Sequence, residues 1–145
     1  MESVRIAKEI AIEAHKGQVD KGGNDYILHL QAVADQLTTE SQKVVAWLHD
    51  TVEDTNVTLG YLEAFGFGDE VINAIDAITK RKGESRKEYI NRVSNNPLAT
   101  IVKIADLKNN SDLSRINNRP VTNEDINRSK RYKKEMKWLI RRLQS

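Results

Sequence analysis

His49 and Asp50 are followed within one helical turn by Glu53 and Asp54, in the run Val44-Val45-Ala46-Trp47-Leu48-His49-Asp50-Thr51-Val52-Glu53-Asp54. On a helix, residues three and four apart share a face, so this register crowds three carboxylates beside an imidazole. Like charges at that spacing repel, and folding alone gives no reason to gather them directly after an apolar stretch. A bound cation resolves the conflict, because carboxylate and neutral imidazole are both good ligands for divalent metals. The segment reads as part of a metal-centred active site.

Two residues distant in the chain suit the same ion. His29 follows Tyr26-Ile27-Leu28 near the start of a helix, and Asp106 is a carboxylate set into the apolar helical run Ile104-Ala105-Asp106. A buried carboxylate costs several kcal/mol unless it is paired or coordinated, so Asp106 wants a partner. A salt bridge to Lys103 on its own helix is the simpler alternative. Together, His29, His49, Asp50 and Asp106 make a mixed nitrogen and oxygen donor set with room left for water, suited to manganese, iron, zinc or magnesium. The remaining histidine, His15, is read as structural.

The elements that must position these residues are helical. Val4, Ala7, Ile10, Ala11 and Ala14 form one stripe, and a polar loop from Gly17 to Asp25 follows. Ala32, Val33 and Leu37 mark a second helix. Ser41 opens a third, running through Val44, Val45 and Leu48 into the carboxylate cluster. Thr58 and Asp69 are N-cap candidates for helices ending near Gly66 and Thr79. Ser85 to Val93 is another helix, and Pro97 sits in the first turn of the one carrying Asp106. A last long helix starts near Thr122, with Asp125 favourably placed in its first turn. Its apolar stripe reads Ile126, Tyr132, Met136, Leu139 or Ile140, and Leu143. No strand pattern or repeat is evident, so the chain is expected to be an all-α helical bundle forming a single domain over residues 1–145.

Composition narrows the setting. Hydrophobic residues make up 39% of the 145, with no apolar run near the roughly 20 residues that a membrane span needs. The start, Met1-Glu2-Ser3-Val4-Arg5, lacks the apolar region of a secretory signal, and no cysteine is present. The pattern fits a cytoplasmic protein with no membrane partner. Residues through Asn127 carry 15 Lys+Arg and 20 Asp+Glu, a net of −5, whereas Arg128 to Ser145 carry 8 Lys+Arg and one Glu, a net of +7. Such a basic end can contact phosphates. A nucleic-acid partner is not expected, because it leaves the acidic cluster unexplained. A helical domain of this size can form a homo-oligomer, although nothing in the sequence demands it.

His29, the His49-Asp50 doublet and Asp106 resemble the H…HD…D signature of the HD-domain metal-dependent phosphohydrolases. Ala14-His15-Lys16-Gly17-Gln18, Lys21, Gly23, Tyr26, the run Leu48 to Thr55, Phe65-Gly66, Thr79-Lys80 and Lys103-Ile104-Ala105-Asp106 with Asn110 are similar to the alarmone (ppGpp) hydrolases. The similarity covers nearly the whole chain, as in the small stand-alone members and the hydrolase domain of Rel/Spo-type enzymes. It implies that His29, His49, Asp50 and Asp106 hold one metal, usually manganese. It implies that Glu53 and Asp54 position or activate the attacking water. Lys21 and Asn110, and on a looser match Arg128 and Tyr132, correspond to substrate-contacting positions. Several positions depart from the pattern. Asp20 stands where the family has an arginine that packs on guanine, Asp25 and Leu30 replace prolines, and Leu113 replaces a threonine. These departures fall on base recognition and leave the metal ligands untouched.

The resemblance therefore implies release of pyrophosphate from the 3′ position of guanosine 3′,5′-bis(diphosphate) by metal-activated water. The alternatives are an HD phosphohydrolase acting on another phosphorylated nucleotide, and a nucleotide-sensing HD domain without catalysis.

Overall fold

The computed structural model describes residues 2–145, and Met1 lies outside them. Nine α-helices follow one another among these residues: α1 (Glu2–Ala14), α2 (Tyr26–Asp35), α3 (Glu40–Leu48), α4 (Thr51–Asp54), α5 (Leu59–Ala64), α6 (Asp69–Ile78), α7 (Arg86–Val93), α8 (Pro97–Asn110) and α9 (Asn123–Gln144). A short 3₁₀ turn, Leu113–Arg115, joins α8 to α9. The only β-type pairing among the described residues is an isolated bridge between Val19 and Asp25, which closes the loop before α2. The expected all-α class is what the chain adopts.

Capping chemistry explains most of the boundaries. Thr39, Ser85 and Thr122 each accept from the backbone three residues on, while Gln42, Glu88 and Asp125 return the bond, giving capping boxes at α3, α7 and α9. Asn96 caps α8 ahead of Pro97. Two expected starts move slightly. Helix α3 begins at Glu40 rather than Ser41, because Thr39 supplies the cap. Gly68, not Asp69, stands at the N-cap of α6.

One difference matters for the site. The third helix does not run on into the carboxylates. It ends at Leu48, and a separate turn, α4, starts after Asp50, whose backbone sits at φ −107°, ψ −4°. The Thr51 hydroxyl donates to the Leu48 carbonyl at 2.7 Å and satisfies the end of α3. The break redirects the chain so that His49 and Asp50 project from a corner rather than from one helix face.

Helix α3 is the hub. Val44 to Leu48 are buried without interruption, so the C-terminal half of the helix is enclosed on all sides. It packs against α1, α2, α6 and α8. Helix α8 in turn touches α2, α3, α6, α7 and α9. In α9 Leu139 is fully buried, whereas Ile140 and Leu143 face outward. No described helix is long and apolar enough to cross a membrane.

Candidate metal centre

The α3–α4 corner, α2 and α8 meet at the residues singled out above. One donor atom from each of His29, His49, Asp50 and Asp106 lies within 4.8 Å of all the others. The two imidazoles and Asp106 are almost completely buried. Asp106 Oδ1 lies 2.8 Å from His29 Nε2 and 3.1 Å from His49 Nε2. Asp50 Oδ2 is 3.2 Å from the same His49 nitrogen.

The outward side of each ring fixes what the inward side can do. His49 Nδ1 is 2.6 Å from the Ala46 carbonyl oxygen, which can only accept, so that nitrogen carries the proton. His29 Nδ1 is 2.6 Å from Asn109 Oδ1 in the same sense. In the neutral rings both Nε2 atoms then present lone pairs to carboxylate oxygens. Two lone pairs and two carboxylates cannot share so small a space without a positive charge among them. The donor set fits a divalent cation, with ring orientations fixed by Asn109 and Ala46.

The electrostatics agree. Burial alone would lower the His49 pKa, but Asp50 and Asp106 outweigh it and hold the imidazole well above its ordinary value. Burial would raise Asp106, but Lys103 and the two histidines keep it well below the usual carboxylate range. For Asp50, the opposing pull of His49 leaves it at about 2. Tyr26, raised by burial and by Asp50, stays protonated and donates its hydroxyl to Asp50.

Lys103 settles the simpler alternative in an unexpected way. Its ammonium, nearly buried, contacts Asp106 Oδ2 at 2.9 Å while both histidines face Oδ1. Asp106 therefore serves the salt bridge and the histidine cluster with different oxygens. Lys103, Tyr26 and Asn109 were not singled out in the sequence as site residues. Lys103 and Asn109 lie three residues either side of Asp106 on its helix, the spacing at which side chains become neighbours, and that was the available signal.

Glu53 and Asp54 part company. Glu53 Oε1 accepts the Lys80 backbone N–H at 2.7 Å, which anchors it to the end of α6. Asp54 makes no side-chain hydrogen bond among the described residues. Burial, then the charges of Asp50 and Glu53, push its carboxyl up to about 6.

Beside the cluster lies a pocket of about 300 Å³, whose lining includes Lys21, Asn110, Arg128 and Tyr132. Two of its walls touch the metal-site carboxylates: Tyr26 reaches Asp50, and Asn110 Nδ2 donates to Asp106 Oδ1 at 3.2 Å. Arg128 is partly spent on Asp125, at 2.6 Å. Tyr132 stacks under the guanidiniums of Arg86 and Arg131. His15 packs on Tyr26 with ring centroids 5.1 Å apart, supporting the ring that reaches Asp50.

The chain is similar in sequence and fold to known proteins. A probable GTP pyrophosphokinase of Mycobacterium leprae is 36% identical over 120 residues, covering 74% of this chain and 15% of its own length. A guanosine-3′,5′-bis(diphosphate) 3′-pyrophosphohydrolase of Aquifex aeolicus is 29% identical over 121 residues, covering 75% of this chain and 17% of its own. A solved structure, described as a metazoan ortholog of SpoT that hydrolyzes ppGpp and plays a role in starvation responses, superposes with a TM-score of 0.76. It is 24% identical and covers 99% of this chain and 86% of that one. The chain is an HD-type domain related to the Rel/Spo enzymes. This Rel/Spo-type domain spans only about a sixth of the curated relatives' length. No protein-family model matches it.

Proposed function

We propose that this Rel/Spo-type domain is a metal-dependent phosphohydrolase releasing pyrophosphate from the 3′ position of guanosine 3′,5′-bis(diphosphate), with manganese as its metal. The observation that carries the reading is the four-residue donor cluster of His29, His49, Asp50 and Asp106 opening beside a pocket with basic and aromatic walls. The relatives named for this reaction point the same way.

A divalent ion held there supplies Lewis acidity toward a phosphoryl oxygen and toward water. The chain's own residues do the rest. Asp54, with a carboxyl near 6 and no competing hydrogen bond, accepts a proton from the attacking water, and Glu53 shapes the charge around it. Lys21, exposed and without a carboxylate partner among the described residues, offsets phosphate charge. Asn110 and Arg128 orient the ligand against Tyr132. Tyr26 and Lys103 hold Asp50 and Asp106 in place.

Asp20 favours a second reading, hydrolysis of another phosphorylated nucleotide. Asp20 and Asp125 neutralise Arg115 and Arg128 inside the pocket, leaving less positive charge for a ligand with many phosphates. One assay separates the two. The purified protein, with manganese, is offered a nucleotide panel alongside His49→Ala. Pyrophosphate from 3′-diphosphorylated guanosines, absent in the variant, supports the first reading. Phosphate or pyrophosphate from other nucleotides alone transfers it to the second.

A further inference from the structure

We propose that Arg115 is a positioning residue that, with Asp20, holds two walls of the pocket in register. The proposal rests on the nucleotide-hydrolase reading and adds a residue to it.

Arg115 lies at the end of the 3₁₀ turn, half-buried, and its guanidinium is spent on protein acceptors. Nη2 donates to Asp20 Oδ2 at 2.7 Å. Nη1 donates to Asn110 Oδ1 at 3.0 Å and to the Asn109 carbonyl at 3.3 Å. The other Asp20 oxygen accepts the backbone N–H groups of Gly22 and Asn24, at 2.9 and 3.0 Å. The Arg115 carbonyl accepts Asn24 Nδ2 at 2.9 Å, and Gly22 lies so close to that carbonyl that a Cβ there would collide with it.

Lys21 therefore lies between Asp20, held by Arg115, and Gly22, held by Asp20, with its own carbonyl accepting from Arg119 Nε at 3.2 Å. On the far side, Asn110 passes the constraint to Asp106 Oδ1 at 3.2 Å. Three hydrogen bonds thus run from Asp20 to a metal-site carboxylate, across segments 95 residues apart in the chain at the Asp20–Arg115 step. A guanidinium can serve Asp20 and Asn110 at once through its fork, whereas a lysine ammonium, a compact point charge, cannot reproduce that planar geometry. With three of its N–H groups turned into the protein, Arg115 shapes the pocket more than it contacts a ligand.

The test compares wild type, Arg115→Lys and Asp20→Asn as full chains, each with manganese. Steady-state kinetics and GDP affinity by calorimetry are measured, together with amide hydrogen exchange at Gly22 and Asn24. Both variants are expected to raise KM and the GDP Kd by about 10- to 100-fold, the ratio given by losing a partly buried charge-assisted hydrogen bond. Change in kcat stays within about threefold, manganese affinity is unaltered, and exchange at Gly22 and Asn24 accelerates. Unchanged KM with a lowered Tm overturns the proposal in favour of a stabilising clamp, and a fall in kcat alone overturns it too. Should wild type hydrolyse no nucleotide, the functional reading fails. Exchange and GDP affinity then still decide about Arg115: retained protection or an unchanged GDP Kd in both variants overturns the proposal, and lost protection together with weakened GDP binding upholds it.

Discussion

His29 and His49 point their Nε2 atoms at the same oxygen of Asp106, at 2.8 and 3.1 Å, and their Nδ1 atoms in other directions. The outward partners differ in kind: a side-chain amide for His29, a main-chain carbonyl for His49. The second is built into α3 and cannot be removed by substitution, whereas the first depends on one residue.

Asn109→Ala should therefore weaken metal binding by about 10- to 100-fold, since partners beyond the ligands orient the rings. Global stability should change little, because Asn109 is only partly buried. Titration with manganese, read by calorimetry, checks the first statement and urea unfolding the second, and an unaltered Kd would falsify the assigned role.

Lys103→Met leaves Asp106 Oδ2 without its cation in a nearly buried place. Breaking one side of such a pair costs about 3–5 kcal/mol. A cation among the four ligands compensates part of that charge, so the loss should be larger in chelator than in manganese. Urea unfolding under the two conditions measures the gap. Equal losses would show that Asp106 is stabilised by Lys103 alone.

Asp54 must be ionised to accept a proton, and burial with Asp50 and Glu53 raises its carboxyl to about 6. The protonated form therefore dominates below that value in the metal-free site, and log kcat/KM should climb with pH up to a limb at or below about 6 and then level off. Positive charge in the four-ligand site moves the limb to lower pH, never higher. Asp54→Asn should lower kcat by about 10²- to 10⁴-fold with manganese uptake intact. Glu53→Gln should cost less, because its Oε1 is committed to the Lys80 amide. The reverse ranking would exchange their roles.

Gly22→Ala brings a methyl group onto the Arg115 carbonyl. The loop bearing Lys21 must shift, so KM should rise by about tenfold or more while the manganese Kd stays put, as expected for a change confined to substrate binding. Parallel kinetics and metal titration on one preparation test this, and coupled loss of both affinities would count against a separate pocket wall.

Residue types and spacing by themselves determined the all-α class, because period-3.6 stripes and cap residues such as Ser85, Pro97 and Thr122 act locally. They also marked His49, Asp50 and Asp106, since acidic groups beside apolar runs demand an explanation wherever they occur, whereas His29 was legible only together with those three. What no local pattern contains is the break at Asp50. Period-3.6 spacing continues α3 into the carboxylates, whereas in the fold α3 ends at Leu48, with Asp50 bonded to Tyr26 of α2 and His49 to Asp106 of α8. Nor did spacing separate Glu53 from Asp54, which are adjacent in the chain but differ by one hydrogen bond to Lys80, 27 residues away. Asp20 reads in the sequence as a departure on the base-binding side. Only the fold, by bringing Arg115 within 2.7 Å, makes it a strut, because burial and pairing depend on neighbours that the linear order keeps apart.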